Sequence, residues 1–300
     1  MLASLRATLR LAAIGCLIVI LLPVQALLVN GGPRTAELIP RFFHRTTARL
    51  LGFTLATRGE MRSARPTLFV SNHTSYLDII VLGGLIRGSF VSKAEVRGWP
   101  LIGWLARLHR SVFIGRRRSA TGSERDSLAR RLADGDNLIL FPEGTSNDGN
   151  RTLAFKSALF AIAKPSDGRN GGPDGHGPAA MPASAAPALT IQPVSLAYSA
   201  LDGIPLGRAK RPLYAWYGDM SLASHLWQVA RQGFATIDIT FHEPVAAADF
   251  ATRKSLAAHC QRVVAAGVTA ALTGRQTAPL SRKRRRRLGL RGRHRPLRAS

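Results

Sequence analysis

Six apolar runs of strand length alternate with helical patterns along this chain, and the alternation constrains its fold more than any other feature. Buried strands are predicted at residues 67–70, 90–92, 112–114, 137–141, 190–196 and 235–241. Helices are predicted between most of them, at residues 76–85, 100–108, 123–133, 155–163, 221–232 and 250–272. This order predicts an α/β fold with a largely parallel sheet flanked by helices.

The first predicted strand is followed at once by a turn that carries a histidine and an aspartate five residues apart. The segment reads Ser71-Asn72-His73-Thr74-Ser75-Tyr76-Leu77-Asp78, which places His73 between the strand and the next helix. Such turns carry function in open α/β sheets. Histidine can accept a proton from an alcohol near neutral pH, and a neighbouring carboxylate can hold the ring in the required tautomer. His73 and Asp78 are therefore candidates for a general base and its orienting carboxylate.

Two other interpretations of this segment are open. Ser75-x-x-Asp78 fits a helix capping box, in which the aspartate stabilises the first turn of the helix. His73, Asp78 and Glu143 could instead ligate a hydrolytic metal ion, but the chain contains neither His-Glu-x-x-His nor His-x-x-Glu-His. We therefore expect a site without a metal.

The fourth predicted strand, at residues 137–141, is followed by a second turn of interest, Pro142-Glu143-Gly144-Thr145-Ser146. Proline and glycine end the strand sharply and leave an acidic side chain at its exit. A single turn of this kind is common and indicates little. The two turns in this order, with a basic segment between them, favour a site built from both.

In this order the motifs resemble those of the bacterial lysophosphatidic acid acyltransferases, also called 1-acyl-sn-glycerol-3-phosphate acyltransferases. The resemblance covers roughly residues 68–198 and consists of four blocks. The blocks are His73 to Asp78, Ser111 to Arg116, Phe141 to Thr145 and Ile191 to Val194. The resemblance implies a membrane-associated enzyme that transfers a fatty acyl group to the free hydroxyl of lysophosphatidic acid and gives phosphatidic acid.

The resemblance also implies roles for individual residues. His73 is the catalytic base, Asp78 is its partner, and Arg116 binds the acceptor head group. The other residues it implicates in substrate binding are Glu143, Gly144, Thr145, Lys93 and Lys156. Family members often have an acidic residue where this chain has Gly115, and Arg116 begins a run of three arginines, so the head-group ligand could be any of the three.

A second acceptor is open as well. Residues 146–151 and 155–160 are similar to the members of the family that acylate lyso-ornithine lipid. That head group presents an amine and a carboxylate in place of a phosphate. An arginine run pairs with a phosphate or with a carboxylate, so it suits both acceptors.

Direct transfer from donor to acceptor, without an acyl-enzyme or a cofactor, is what the resemblance implies. The chain contains no Gly-x-Ser-x-Gly motif, and its two cysteines, Cys16 and Cys260, lie in segments remote from both motifs. The expected acyl donor is acyl-CoA or acyl carrier protein.

Residues 11–33 contain no charged side chain and are rich in leucine, isoleucine and valine. A bilayer span needs ~20 apolar residues, so this segment is long enough to cross or enter a membrane. Pro23 and Gln25 interrupt it and favour a kinked or re-entrant helix. The alternative is a cleaved signal peptide, with Arg6 and Arg10 as its basic region.

Residues 35–57 interleave apolar side chains with arginines, which predicts an amphipathic helix at the membrane interface. An ordinary helix packed on the domain fits the same pattern. Arginines flank the apolar segment on both sides, so the positive-inside rule does not favour a single crossing. The simplest arrangement is a monotopic anchor with both flanks on the cytoplasmic side. Since the acyl donors are cytosolic, we expect the catalytic domain on the cytoplasmic face of the bacterial inner membrane.

The net charge is +25, and removing residues 281–300, which contain ten lysines and arginines, still leaves +15. A strongly basic chain can bind nucleic acid, anionic lipid or an acidic carrier protein. The basic tail has no aromatic residue to stack on bases, so we expect an anionic membrane surface and no nucleic acid as its partner. A catalytically inactive basic protein that binds membranes or nucleic acid is the alternative of another class.

These observations divide the chain into three parts. Membrane-associated helices are predicted at residues 1–60, the acyltransferase domain at 61–275 and a disordered polybasic tail at 276–300. Residues 165–187 contain five glycines and five prolines, which predicts a disordered insertion within the domain.

Overall fold

A sheet of mostly parallel strands forms the centre of the structure, a computed structural model that describes residues 1–29, 31–99, 102–115, 128, 130–132, 134–163 and 189–275. The helices are α1 (Leu2–Leu28), α2 (Pro33–Ala36), α3 (Leu38–Leu50), α4 (Leu77–Leu85), α5 (Ile102–Leu108), α6 (Leu222–Arg231) and α7 (Arg253–Thr273). The strands are β1 (Phe53–Arg58), β2 (Thr67–Ser71), β3 (Ser89–Lys93), β4 (Val112–Ile114), β5 (Leu138–Leu140), β6 (Thr190–Leu201), β7 (Ile204–Pro205), β8 (Ala235–Phe241) and β9 (Val245–Ala246).

The strands follow the order β1-β8-β6-β2-β5-β3-β4 across the sheet, and β7 and β9 each pair with β6. Along this path only β6 and β8 are antiparallel; the other neighbouring pairs are parallel. The six predicted strands correspond to β2, β3, β4, β5, β6 and β8. The predicted fold class, a largely parallel sheet flanked by helices, is confirmed.

Both faces of the sheet are buried, which explains why its central strands are apolar throughout. On β2, Leu68 and Val70 belong to one hydrophobic core and Phe69 belongs to the other, and all three are at most 1% exposed. Parallel sheets covered on both sides have such continuous apolar strands. The next residues along the chain, where the strand ends, are polar.

Helices cover the two faces of the sheet. Helix α7 lies on one face and contributes Leu256, Cys260, Val264 and Val268 to the core. Its start is capped by Thr252, which accepts a hydrogen bond from the Ser255 N–H, and its end by Gly274 at φ +71°. The opposite core is built from α3, α4 and α6, with Ala48, Leu77, Leu82 and Val229 among its residues.

Helix α1 contacts the domain near both of its ends. Arg10 Nη1 donates hydrogen bonds to the carbonyl oxygens of Ala230 and Gln232, at the C-terminal end of α6, over 3.1 and 2.7 Å. Gln25 Nε2 donates to carbonyl oxygens in α2 and α5, 3.0 and 2.6 Å away. Among the described residues, α1 is the helix that is long and apolar enough to cross a membrane by length and composition. It continues through Pro23, and much of its apolar surface is exposed.

The prediction of one amphipathic helix over residues 35–57 is wrong. Helix α3 ends at Leu50, Gly52 adopts φ +80°, and Phe53 begins strand β1. Strand β1 pairs in parallel with β8, which follows far along the chain, so the local sequence gives little sign of it. The sheet therefore begins before residue 61, where the acyltransferase domain was predicted to start.

Helix α3 packs on the domain, as the alternative interpretation of this segment proposed. Its His44, Thr47 and Ala48 are buried, and Ala48 lies in the hydrophobic core. Leu38 and Phe42 are each 51% exposed. One side of α3 thus faces the protein while two large apolar side chains face outward.

The helix predicted over residues 155–163 is shorter and tighter than expected. It is a 3₁₀ helix, Ser157–Ile162. The residue before it contacts the turn that follows β5, because the Lys156 N–H donates a hydrogen bond to the Pro142 carbonyl. Phe155 and Phe160 are both buried in the same core. Several other predictions lie outside the described residues: Arg116, most of the helix over 123–133, the insertion at 165–187 and the tail at 276–300.

Candidate active site

The two predicted turns meet at one edge of the sheet. Strands β2 and β5 are parallel neighbours, with Val70 opposite Leu140, so the turns that follow them leave the sheet at the same edge. Because the two strands run in the same direction, His73 and Glu143 lie next to each other, although 70 residues separate them in the sequence. The carboxyl edge of a parallel sheet is where open α/β folds place ligands and catalytic groups.

His73 and Asp78 form a close pair within the first turn. His73 Nδ1 lies 2.9 Å from Asp78 Oδ2. A carboxylate accepts hydrogen bonds, so this contact assigns the ring proton to Nδ1 and leaves Nε2 as the basic nitrogen. The His73 side chain is 20% exposed and that of Asp78 is fully buried. The pair thus has a protected carboxylate and a ring that substrate can reach.

Asp78 also holds the backbone of the turn. Its Oδ2 accepts the N–H groups of Thr74 and Ser75 over 2.7 and 3.0 Å, and its Oδ1 accepts the hydroxyl of Tyr198 over 2.9 Å. The bond from Ser75 is one half of the predicted capping box. One carboxylate therefore stabilises the start of α4 and contacts the histidine, so the two interpretations of Asp78 are compatible.

The His73 ring is fixed in orientation by the aromatic side chain that directly follows β5. It stacks on Phe141, with ring centroids 4.1 Å apart and an interplanar angle of 16°. Phe141 in turn stacks on Phe90. With Nδ1 bound to Asp78 and one face covered by Phe141, Nε2 is the ring nitrogen left for a substrate.

Glu143 is buried and bonds to the protein through both of its oxygens. Oε1 accepts the His73 N–H over 3.2 Å, and Oε2 accepts Nδ2 of Asn147 over 2.7 Å. The residue is 1% exposed. Burial raises the pKa of its carboxyl to about 7, against the lowering effect of the hydrogen bonds from His73 and Asn147. Glu143 thus shapes the site by holding the turn of His73.

The other residues of the second turn lie nearer the surface. Gly144 has φ +65°, and a Cβ at this position would come within 2.8 Å of Lys156 Nζ. Thr145 and Lys156 are exposed. A lysine amine is therefore placed directly over Gly144, at the same edge of the sheet as His73.

Two further cations were predicted near the site. Lys93 is exposed and ends β3, a strand parallel to β5. Strand β4 ends at Ile114, opposite Lys93 and two residues before Arg116. Arg116 itself lies outside the described residues, so its role and the roles of the other predicted binding residues stay predictions.

Sequence reasoning missed three residues that build this site. Asn147 Nδ2 also donates to the His73 carbonyl over 3.2 Å, so Asn147 and Glu143 together hold both sides of the His73 backbone. Asn72 exchanges two hydrogen bonds with the backbone of Leu196, which attaches the turn to β6. Tyr198 bonds to Asp78. Tyr198 lies on β6 beyond residue 196, where the predicted strand ends. A tyrosine on a buried strand usually needs a partner for its hydroxyl, so a longer predicted strand would have given a signal.

Neither cysteine lies in the site. Cys16 is exposed on α1, and Cys260 is buried in the core under α7, where burial raises the pKa of its thiol to about 12. Within the described part of the chain, no three His, Cys, Asp or Glu side chains are grouped so as to hold a metal ion.

A family model and individual relatives with sequence similarity to this chain agree with one another. The family model Acyltransferase matches residues 52–197. A lyso-ornithine lipid O-acyltransferase of Brucella abortus is 40% identical over 280 residues, which cover 92% of this chain and 98% of that protein. A 1-acyl-sn-glycerol-3-phosphate acyltransferase of Neisseria gonorrhoeae is 29% identical over 58% of each chain.

A solved structure shares the fold. The crystal structure of the 1-acyl-sn-glycerophosphate (LPA) acyltransferase PlsC from Thermotoga maritima has a TM-score of 0.58 and 21% identity, and the match covers 89% of this chain and 95% of that one. Fold, strand-end turns and relatives together define an acyltransferase. The chain belongs to the bacterial lysolipid acyltransferase family, whose members include lyso-ornithine lipid and 1-acyl-sn-glycerol-3-phosphate acyltransferases.

Proposed function

We propose that this protein is a membrane-associated O-acyltransferase that transfers a fatty acyl group to the free hydroxyl of lyso-ornithine lipid. The observation that carries the proposal of acyl transfer is the contact between His73 and Asp78 at the carboxyl edge of the sheet. The acceptor is supported by four relatives with this activity in their names, which are 33–40% identical and match over 72–98% of their lengths.

His73 acts as the general base in the proposed reaction. Its Nε2 takes the proton of the acceptor hydroxyl while the hydroxyl oxygen attacks the thioester carbonyl of the donor. Collapse of the tetrahedral intermediate breaks the carbon–sulfur bond, and the proton on His73 passes to the leaving thiolate. Asp78 holds the Nδ1 proton and stabilises the imidazolium that forms. No acyl-enzyme is needed, because the acceptor hydroxyl is itself the nucleophile.

The acceptor head group is proposed to lie among the basic residues at the same edge. An ornithine head group carries a carboxylate and an amine, and Arg116 or its neighbours Arg117 and Arg118 would bind the carboxylate. The exposed Lys93 and Lys156 add positive charge near the site. Gly144 and Thr145 complete the proposed acceptor surface.

Membrane attachment is proposed to occur through α1. Val19, Ile20 and Leu27 of this helix are 66–82% exposed, which is costly in water and favourable in a bilayer. Because both ends of α1 contact the domain, the helix supports a monotopic anchor rather than a crossing that leaves the protein. The cytosolic donors, acyl-CoA or acyl carrier protein, support the cytoplasmic face of the bacterial inner membrane.

Lysophosphatidic acid is the second candidate acceptor. The order of the four motif blocks and the relative from Neisseria gonorrhoeae favour it. That relative covers less of both chains than the lyso-ornithine lipid acyltransferase of Brucella abortus does. A phosphate head group would also pair with the arginine run.

Side-by-side acyl transfer by the purified protein in detergent tests the proposal. Labelled acyl-CoA and acyl carrier protein are each offered with lyso-ornithine lipid and with lysophosphatidic acid, and products are identified by mass. We expect acylation of lyso-ornithine lipid with the higher kcat/KM. A preference for lysophosphatidic acid would replace the acceptor and retain the enzyme class. Transfer to neither acceptor would refute both acceptor assignments and leave the membership of the acyltransferase family unchanged.

A further inference from the structure

A tyrosine from the centre of the sheet reaches the buried carboxylate of the candidate catalytic pair. Tyr198 lies on β6, is 4% exposed, and donates its hydroxyl hydrogen to Asp78 Oδ1 over 2.9 Å. Burial and the nearby Asp78 raise the pKa of Tyr198 well above its ordinary value. The hydroxyl therefore remains protonated and can only act towards Asp78 as a donor.

The two oxygens of Asp78 have different partners. Oδ2 contacts His73 Nδ1 and accepts the N–H groups of Thr74 and Ser75. Oδ1 accepts the hydroxyl of Tyr198. The phenol thus fixes the rotation of the Asp78 carboxylate about the Cβ–Cγ bond and keeps Oδ2 directed towards His73. Without this donor, Oδ1 would be a buried acceptor that has lost its bond, which is unfavourable.

We infer that Tyr198 is a positioning residue for acyl transfer, acting through Asp78 to orient and tune His73. The inference rests on the proposed function, since it assigns a role within the same reaction. Tyr198 does not touch the reacting atoms in this arrangement. Two hydrogen bonds in series thus connect Tyr198 on β6 to Asp78 and Asp78 to the ring of His73.

The ring of Tyr198 is itself held in place by other aromatic side chains. It stacks on Tyr214 with centroids 5.2 Å apart and an interplanar angle of 5°, and Phe53 packs edge-on at 6.3 Å. Replacing Tyr198 by phenylalanine keeps the ring and these contacts. The change therefore removes the hydroxyl and its bond to Asp78 while leaving the packing in place.

Tyr214 provides a matched control within the same stack. It is 1% exposed, and its hydroxyl has no hydrogen-bond partner in the part of the chain that the structure describes. Tyr214→Phe removes the same atom from the adjacent ring. The two variants therefore differ in one respect: only Tyr198→Phe removes a donor from Asp78.

The effect on catalysis has a definite sign. Without the phenol donor, the negative charge of Asp78 is less stabilised, so the pair of His73 and Asp78 takes up a proton more readily. A protonated pair cannot accept the proton of the acceptor hydroxyl. The acidic limb of the pH profile of kcat/KM should therefore move to higher pH in Tyr198→Phe.

The test measures kcat/KM against pH for wild type, Tyr198→Phe and Tyr214→Phe, with the acceptor that wild type uses, and compares their melting temperatures. We expect Tyr198→Phe to lose roughly tenfold to a hundredfold in kcat/KM, with the acidic limb displaced upward. Tyr214→Phe should remain within about twofold of wild type with an unmoved limb. Equal behaviour of the two variants, or a loss in Tyr198→Phe without displacement of the limb, overturns the positioning role.

Inactivity of wild type with every acceptor is a different failure, because it refutes the proposed function itself. If Tyr198→Phe does not fold, 3,5-difluorotyrosine at position 198 tests the same inference. Its more acidic phenol is a stronger donor, so the acidic limb should move to lower pH. An unmoved limb in that protein also overturns the inference.

Discussion

His73 Nδ1 lies 2.9 Å from Asp78 Oδ2 across the turn between β2 and α4. The backbone of this turn is held from a second strand, because Glu143 accepts the His73 N–H and Asn147 donates to the His73 carbonyl. Groups far apart in the sequence thus fix one short segment. Substitutions in the turn after β5 should therefore affect the position of His73 relative to Asp78 without changing either side chain.

Glu143 should make the stability of the protein depend on pH. Its pKa is raised from 4.5 to about 7 in the folded state, so between these values the folded protein keeps a proton that the unfolded chain releases. The free energy of unfolding must then fall as pH rises through this window. Glu143→Gln should remove this part of the fall, on the order of 1–3 kcal/mol.

Urea unfolding just above pH 4.5 and just above pH 7 measures the effect of Glu143. Glu60→Gln is the control, because it makes the same chemical change at an exposed position and should keep the wild-type dependence. An identical pH dependence in wild type and Glu143→Gln would mean that the carboxyl is ionised throughout, contrary to the expectation from its burial.

Gly144 should be required for both stability and activity. Alanine at φ +65° is strained, and this should lower the free energy of unfolding by about 1–2 kcal/mol. Lys156, whose flexible end lies nearest, can move aside, so the strain comes mainly from the backbone. Gly203→Ala, at φ +83° in the hairpin between β6 and β7 with open space around it, should cost a similar amount.

Turnover separates these two glycine variants. Gly144→Ala should reduce acyl transfer, because the adjacent Glu143 holds the His73 backbone, whereas Gly203→Ala should leave kcat/KM within about twofold. Equal turnover in the two variants would show that the turn after β5 does not influence the His73 site.

Arg10 should stabilise the attachment of α1 to the domain. Its guanidinium bonds to two carbonyl groups at the C-terminal end of α6, where the helix dipole also favours a cation. Arg10→Gln should lower the free energy of unfolding by roughly 1 kcal/mol. Binding to vesicles should be retained, since the exposed apolar surface of α1 is unchanged.

Arg262→Gln, at an exposed position of α7, is the control for the loss of one positive charge. Urea unfolding and vesicle sedimentation compare the two variants. Equal stability of Arg10→Gln and Arg262→Gln would show that the bonds to α6 contribute nothing to the folded state.

The sheet was largely predictable because its strands are local and strongly apolar. Strands β4 and β8 begin and end where the sequence places them, at 112–114 and 235–241. Strand β1 was missed, since Phe53–Arg58 follows a helix directly and becomes a strand by pairing with β8. Pairing between distant segments is not encoded in local periodicity.

In the candidate site, the residues that follow predicted strands were predictable, and the hydrogen bonds between distant segments were not. His73, Asp78 and Glu143 follow strands that the sequence reveals, and parallel pairing brings their turns together. The bond of Tyr198 to Asp78 and the bond of Asn147 to the His73 carbonyl join residues 120 and 74 positions apart, so no spacing in the sequence connects these pairs. The burial of Glu143 likewise depends on packing between segments and not on its own motif.

Acyl transfer by His73→Ala is the most direct test of the catalytic role of the pair. The variant and His259→Ala, on α7, are assayed with the acceptor that wild type uses, and each is checked for binding to anionic vesicles. We predict that His73→Ala loses roughly 10²- to 10⁴-fold in kcat/KM, whereas both variants still bind the vesicles. Turnover by His73→Ala close to that of His259→Ala would contradict the assignment of His73 as the base.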